Sequence, residues 1–385
     1  MEGEGRAPCK PRHIYMETQN PAKLSLQQFQ PQDLRQLVPE LGYRNYWYPA
    51  LPGTSLKKRP VCVKRLGEKI VFWRNSQTEQ PLALEAWCPH RGAALWLGKQ
   101  RFPGTLSCPF HGWTFDGNGV CRAALAEGPD SAIPGQVKIH AYPVRELGGL
   151  IWVWIGELEP VPLEDDVPAE FFDPQVRIYL GRPSTWACNW RLTFDNVGDS
   201  HEVYLHRTSL SALFNRLSAW ALNETLVTED SVGTRRAKSG AQAEYPGLGK
   251  YPKHNWWRVR IRRKQFLTSP TLNKAVLPCL LRVGEASHLL YMRYGVPVDE
   301  HTTLNFHMVA KRVPSWVERL RFAVYGYGWS ALYYLGVLSG LNKQSQDKQI
   351  LETLNDKRPE RLSATDTAII QWRKLSSKAR GKRCA

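Results

Sequence analysis

Cys88-Pro89-His90-Arg91-Gly92, followed by Cys108-Pro109-Phe110-His111-Gly112-Trp113, decides the reading of this chain. A Cys-x-His and a Cys-x-x-His, 17 residues apart, each place one thiolate and one imidazole on a tight loop bounded by proline and glycine. Two such loops face to face suit a [2Fe–2S] cluster with inequivalent irons, both thiolates on one and both imidazoles on the other. Neutral imidazoles in place of two thiolates make the cluster less negative and raise its potential, which fits it to receive electrons and pass them on. The same four side chains could staple a zinc ion. Zinc sites, however, tend to pair Cys with Cys and His with His in local sequence, whereas each loop here carries one of each. The candidate cluster ligands are Cys88, His90, Cys108 and His111.

The runs CPHRGAAL and CPFHGWTFDGNG resemble the consensus of the Rieske non-haem iron oxygenases, the oxygenase components of bacterial ring-hydroxylating and O-demethylating systems. That resemblance implies a second, mononuclear iron in the same chain. Asn189 to His206 answers it, with His201 and His206 five positions apart and carboxylates just upstream. Two imidazoles and a carboxylate on one face of Fe(II) leave positions open for O2 and substrate. An i, i+5 pair lies about 140° apart on a regular helix, so this segment is expected to be a kinked or bulged helix.

The family places an Asp three residues before the first ligand histidine, where it links the cluster of one subunit to the iron of the next. Here that position is Gly198, and the nearest acids are Asp199 and Asp195. The resemblance favours Asp199 as the bridge, with Asp195 or an unrelated link as the alternatives. The carboxylate ligand lies late in the family, and Gln346-Asp347-Lys348-Gln349-Ile350-Leu351-Glu352 fits its context. Asp347 is the expected ligand, ahead of Glu285, Asp299, Glu300 and Glu352. Asp299-Glu300 itself reads as a turn between two strands.

The implied fold class is α+β: an all-β Rieske domain and a helix-grip (START-like) catalytic domain, in which an antiparallel sheet wraps a long C-terminal helix. Residues 1–44 form a lead-in packed on the catalytic domain, with a short helix near Leu34–Leu41. Residues 45–156 carry short alternating runs such as Val61–Arg65 and Lys69–Trp73, and close on the apolar run Leu150–Gly156. Residues 157–385 are expected to form the catalytic non-haem iron domain, opening on an acidic, Pro-rich linker over 157–174, with strands expected near 256–261, 289–296 and 303–309.

At 385 residues and 42% hydrophobic content the chain can build two packed cores. Beyond Cys88 and Cys108, the other six of its eight cysteines show no spaced framework and read as reduced thiols. The N-terminal sequence lacks the apolar region of a secretory signal, so a cytoplasmic location is expected. A net charge of +17 suits an acidic redox partner. With no dinucleotide or flavin motif visible, electrons from NAD(P)H are expected through a separate ferredoxin or flavin reductase. Nucleic-acid binding has no motif beside the charge, and Lys374, Lys378, Arg380, Lys382 and Arg383 read as a solvated basic tail.

Residues 322–341 run without a charge, long enough to pose the question of a membrane span. A buried or pocket-lining helix pair is the favoured reading, and flanking basic residues keep peripheral membrane contact open. The resemblance implies a homotrimer using one [2Fe–2S] cluster and one Fe(II) per chain, with O2 and a small organic substrate. Arg44-Asn45-Tyr46-Trp47-Tyr48-Pro49 ahead of the cluster resembles the vanillate and dicamba O-demethylase branch. The alternatives are a ring cis-dihydroxylating dioxygenase and, more distantly, a Rieske electron carrier or a zinc-stapled binding protein.

Overall fold

A computed structural model describes residues 31–196, 202–206, 220–240, 244–250, 273–334, 343–355 and 358–380. After a short helix α1 (Pro31–Gln36), nine strands build the N-terminal half: β1 (Tyr46–Pro52), β2 (Val61–Arg65), β3 (Glu68–Arg74), β4 (Pro81–Glu85), β5 (Leu106–Ser107), β6 (Trp113–Phe115), β7 (Cys121–Ala124), β8 (Val144–Leu147) and β9 (Leu150–Ile155). They pair antiparallel in three small sheets, β1-β9-β8, β2-β3-β4 and β5-β6-β7. Every residue of β9 is buried, which is why it reads as a continuous apolar run rather than an alternating one. Burying each large apolar side chain there contributes about 1.5–3 kcal/mol. The expected helix at 34–41 ends earlier than its apolar residues suggest, at Gln36, ahead of Pro39.

The second half is dominated by one antiparallel sheet, eight-stranded among the described residues. Its strands are β10 (Val176–Leu180), β11 (Ser184–Trp186), β12 (Trp220–Val227), β13 (Ser231–Gly240), then, past a small hairpin of β14 (Glu244–Tyr245) and β15 (Gly249–Lys250), β16 (Asn273–Val276), β17 (Leu280–Glu285), β18 (Leu289–Asp299) and β19 (Thr302–Arg312). The order is β10-β19-β18-β17-β16-β13-β12, with β11 also on β19. Asp299 and Glu300 do sit at the β18–β19 turn. The strand expected near 256–261 lies outside the described residues. Tyr294 of β18 packs edge-on against Trp152 of β9, so one core joins the two halves.

Among the described residues, five further helices belong to this half: α2 (Trp190–Asp195), α3 (Glu202–Leu205), α4 (Trp316–Tyr334), α5 (Lys343–Leu351) and α6 (Thr367–Leu375). The C-terminal part of the expected grip is described as the helices α4, α5 and α6. Of these, α6 puts Ala368, Trp372 and Leu375 into the shared core. Helix α4 packs on β10 through Phe322, whose ring lies 5.2 Å from Tyr179, and Gly326 leaves room for that same ring. Its outer residues Trp316, Leu320, Val324 and Tyr327 are exposed. Among the described residues no helix is long and apolar enough to cross a membrane.

Two expectations need correction. The acidic stretch 157–174 is docked rather than a free linker: Trp47 Nε1 donates to Val161 O at 2.8 Å, and buried Asp166 accepts from Trp47 N at 3.0 Å. Arg380 is not part of a solvated tail, because it donates to Asp166 at 2.8 Å and stacks over the Tyr46 ring. Sequence hides this pairing, since both partners lie in stretches whose composition reads as solvated. Lys374 and Lys378 are exposed as expected.

Candidate metal centres

The two cysteine–histidine loops adopt one hydrogen-bonding scheme. Gly92 N donates to Cys88 O and Cys88 N to Ala93 O; in parallel, Gly112 N donates to Cys108 O and Cys108 N to Trp113 O. Gly92 and Gly112 both take positive φ, +68° and +72°, a conformation that other residues adopt with strain. Each turn thereby holds its cysteine and histidine on the same side. Cys88 and Cys108 are buried, with their thiols side by side. The His90 and His111 rings lie 4.8 Å apart, His90 stacked on Trp113 and His111 on Phe110.

These residues fit a binuclear cluster. His111 Nδ1 is buried without a hydrogen-bond partner, a condition that costs about 1–3 kcal/mol unless something coordinates it. Burial, reinforced by the Cys108 thiol, pushes the Cys88 thiol up to about 12, so Cys88 becomes thiolate only against a cation. Among the described residues no three His, Cys, Asp or Glu side chains converge as a metal site. A zinc ion would need all four donors around one point, whereas each iron of a binuclear cluster takes two from the protein and shares bridging sulfides.

The second centre gathers around His206, which closes α3. Its Nε2 lies 3.3 Å from Asp347 Oδ1 on α5, and both side chains are buried. On the other side of the ring, Nδ1 is 3.1 Å from Gln346 Oε1. A histidine whose Nδ1–H donates to a carbonyl oxygen turns its Nε2 lone pair outward, the orientation a metal ligand needs. Asp347 Oδ1 has no hydrogen-bond donor. One imidazole and one carboxylate from distant parts of the chain therefore meet, as two of the three donors of a facial triad would have to. His201 and the proposed bridge Asp199 lie outside the described residues. Gln346 was missed by sequence reasoning; its only signal is its place beside Asp347.

The competing acids are otherwise engaged. Asp299 pairs with Lys64 at 3.2 Å, which together with hydrogen bonds from Thr302 and His301 holds its carboxyl below the usual range despite some desolvation. Glu352 accepts from Ala187 N at 2.7 Å, Glu285 ends β17, and Glu300 lies in the β18–β19 turn. Asp195 is gripped at both oxygens by Arg373, at 2.6 and 3.2 Å, and Arg373 also holds Glu360. Burial outweighs the arginine and raises the Asp195 carboxyl, a structural ion pair rather than a group open to a neighbouring histidine.

Two family descriptions match the chain: "Rieske [2Fe-2S] domain" over residues 46–143 and "Homotrimeric ring hydroxylase" over residues 154–240. The terminal oxygenase component of carbazole 1,9a-dioxygenase from a Sphingomonas species is 30% identical, with 88% of this chain and 92% of that protein covered. The oxygenase subunit of vanillate O-demethylase from a Pseudomonas species is 34% identical over 43% of this chain and 46% of its own length. Among solved structures, the carbazole-bound oxygenase in complex with ferredoxin, from carbazole 1,9a-dioxygenase, superposes with a TM-score of 0.73 at 25% identity, covering 89% of this chain and 91% of that one.

Proposed function

This chain belongs to the Rieske non-haem iron oxygenases as a terminal oxygenase component, and from that premise we propose that it oxygenates a small aromatic or other cyclic molecule using the residues placed above. In this reading residues 45–156 form the electron-entry domain and residues 157–385 the catalytic domain. Cys88 and Cys108 hold one iron of the cluster, and His90 and His111 the other. His201, His206 and Asp347 hold the mononuclear iron. When bound, the cluster supplies single electrons and the mononuclear iron activates O2.

The protein's own task is to position and to exclude water. Gln346 fixes the His206 ring, and the apolar cluster of Trp186, Cys188, Leu192 and Leu351 shields the α5 side of the site. Arg91, set 5.5 Å from the exposed Phe110 ring, leaves a basic and apolar tip around the cluster loops. That tip suits both an acidic ferredoxin and the neighbouring subunit of a cyclic trimer. Support for the trimer comes from the family description matched over 154–240, and for the ferredoxin from the relative solved with one.

The observation that carries this reading is the pairing of buried His206 with buried Asp347 in a chain that also bears the two cluster loops. Monooxygenation, including oxidative demethylation, is supported by the sequence ahead of the cluster and by the vanillate relative. A second reading, dioxygenation, is favoured by a specific observation: the relative matched over 88% of the chain is a dioxygenase component. Turnover under ¹⁸O2 with a surrogate ferredoxin and reductase tests the choice. One labelled oxygen on the ring product establishes hydroxylation, an unlabelled phenol released with formaldehyde establishes demethylation, and two labelled oxygens establish dioxygenation.

A further inference from the structure

The sheet face beneath α2 carries more polar capacity than the chain satisfies. Antiparallel register sets Arg293 against His307 and Gly295 against Asn305, and Ser184 of β11 against Asn305. Side chains alternate along strands, so Arg293, Asn305, His307 and Ser184 share one face. Arg293 is 1% exposed, and Asn305 and His307 are 0% exposed. His307 is bound on both sides, with Nε2 2.8 Å from Ser184 Oγ and Nδ1 2.7 Å from Tyr291 Oη.

Its neighbours are less well provided. Arg293 Nε and both side-chain polar atoms of Asn305 are buried without partners. The guanidinium donates once, from Nη2 to Thr193 O at 2.9 Å, and lies 4.8 Å over the Trp186 ring. Among the described residues no carboxylate pairs with it. Buried Arg373, by contrast, holds two carboxylates. Arg65, also buried and likewise without a partner at Nε, donates to two carbonyls, of Ala50 and Lys64, where Arg293 donates to one. An arginine stays charged at any relevant pH, so burial with one carbonyl and one ring leaves its charge uncompensated.

Thr193 joins the two unsatisfied residues. A Cβ added at Gly295 would lie 2.9 Å from Thr193 Oγ1 and 3.4 Å from Asn305 Oδ1, so the glycine leaves the space over which they meet. Trp186, beneath the guanidinium, belongs to the same apolar cluster as Leu351, one helical turn beyond Asp347. The unmet donors thus lie on the flank of the proposed iron site.

We propose that Arg293 and Asn305 anchor the carboxylate of an anionic cyclic substrate. The guanidinium pairs with the carboxylate oxygens, Asn305 Nδ2 adds a third donor, and the substrate's ring extends past Trp186 toward the α5 side of the site. This deepens the proposed function and rests on it for the word substrate, but binding requires no turnover.

The test is the affinity of the iron-loaded protein for benzoate and for its neutral isostere benzamide, measured by calorimetry and by ligand-induced shift in Tm. Benzoate is expected to bind at least about tenfold tighter, as one charge-assisted pair implies. Arg293→Met should abolish that preference and raise the Tm of the ligand-free protein, because it removes an unpaired buried cation. A purely structural arginine capping α2 would instead lower the Tm on removal. Should Arg293→Met not fold, Arg293→Lys, which keeps the charge but loses the fork, should weaken benzoate and leave benzamide unchanged. Equal binding of the two probes by the parent protein, or a full preference in the Arg293 variant that folds, overturns the proposal. Benzoate bound through Arg293 in a protein without mononuclear iron would leave the anchor standing and remove the oxygenase reading instead.

Discussion

Gln346 Oε1 lies 3.1 Å from His206 Nδ1 while the adjacent Asp347 reaches the opposite nitrogen of the same ring, so consecutive residues of α5 hold one imidazole from both sides. Gln346 orients the ring and Asp347 shares the position where a metal would sit. Gln346→Leu is therefore expected to weaken iron retention at this centre by about 10–100-fold, the usual effect of losing an orienting hydrogen bond. Iron titration of apoprotein, with the cluster spectrum as internal reference, reads this directly. Unchanged affinity would mean that the ring is fixed by other contacts.

At the cluster, His111→Cys should lower the reduction potential, because a thiolate adds negative charge where an imidazole was neutral. The fold should tolerate the change, since Gly112 and not the imidazole sets the turn. Spectroelectrochemistry checks it. A potential and spectrum matching the parent protein would remove His111 from the ligand set.

The two candidate bridging acids should now separate by phenotype. Asp195→Asn breaks a buried bidentate pair and is expected to cost about 3 kcal/mol of stability, somewhat less if Glu360 retains Arg373. Asp199→Asn should leave stability alone and slow reoxidation of the pre-reduced cluster by O2 and substrate, because an amide holds an imidazole N–H less strongly than a carboxylate does. Urea unfolding and single-turnover reoxidation of both variants distinguish the roles. Slow reoxidation confined to Asp195→Asn at unchanged stability would reverse the assignment.

His307 gives a pH dependence. Burial, with the Arg293 cation adding to it, holds its imidazole well below the ordinary value. The folded state therefore stays neutral while the unfolded chain gains a proton below about pH 6.5. Stability contributed above that pH is lost as the pH falls, by about 1 kcal/mol between pH 7.5 and 5.5. Urea midpoints at those two pH values should diverge more in the parent than in His307→Gln. Equal divergence in both proteins would show that His307 is free to protonate when folded.

How much of this was legible in the sequence depends on how local each feature is. The cluster loops could be read because both donors of each loop lie within four residues and the glycines they need are in the same words. The helical setting of Asp347 was legible from a short motif, but the contact of Gln346 with His206 was not, because it depends on a ring brought in from α3. Arg380 and Asp166 were misread for a related reason. Each sits in a charged, proline-bearing or basic stretch that composition assigns to solvent, and only tertiary packing pairs them. Arg293 shows the same limit: on a strand it reads as an outward-facing residue until the register with β19 and the cover of α2 place it inside.

One chain is expected to hold both a histidine–cysteine cluster and a separate iron on His206 and Asp347. Iron and sulfide analysis of anaerobically reconstituted protein, run beside Asp347→Ala, tests it most directly. About three iron and two sulfide per chain are expected in the parent, falling to about two iron and two sulfide in Asp347→Ala with the cluster spectrum retained. A colourless protein containing zinc, or an Asp347→Ala variant that keeps its third iron and full turnover, would contradict it.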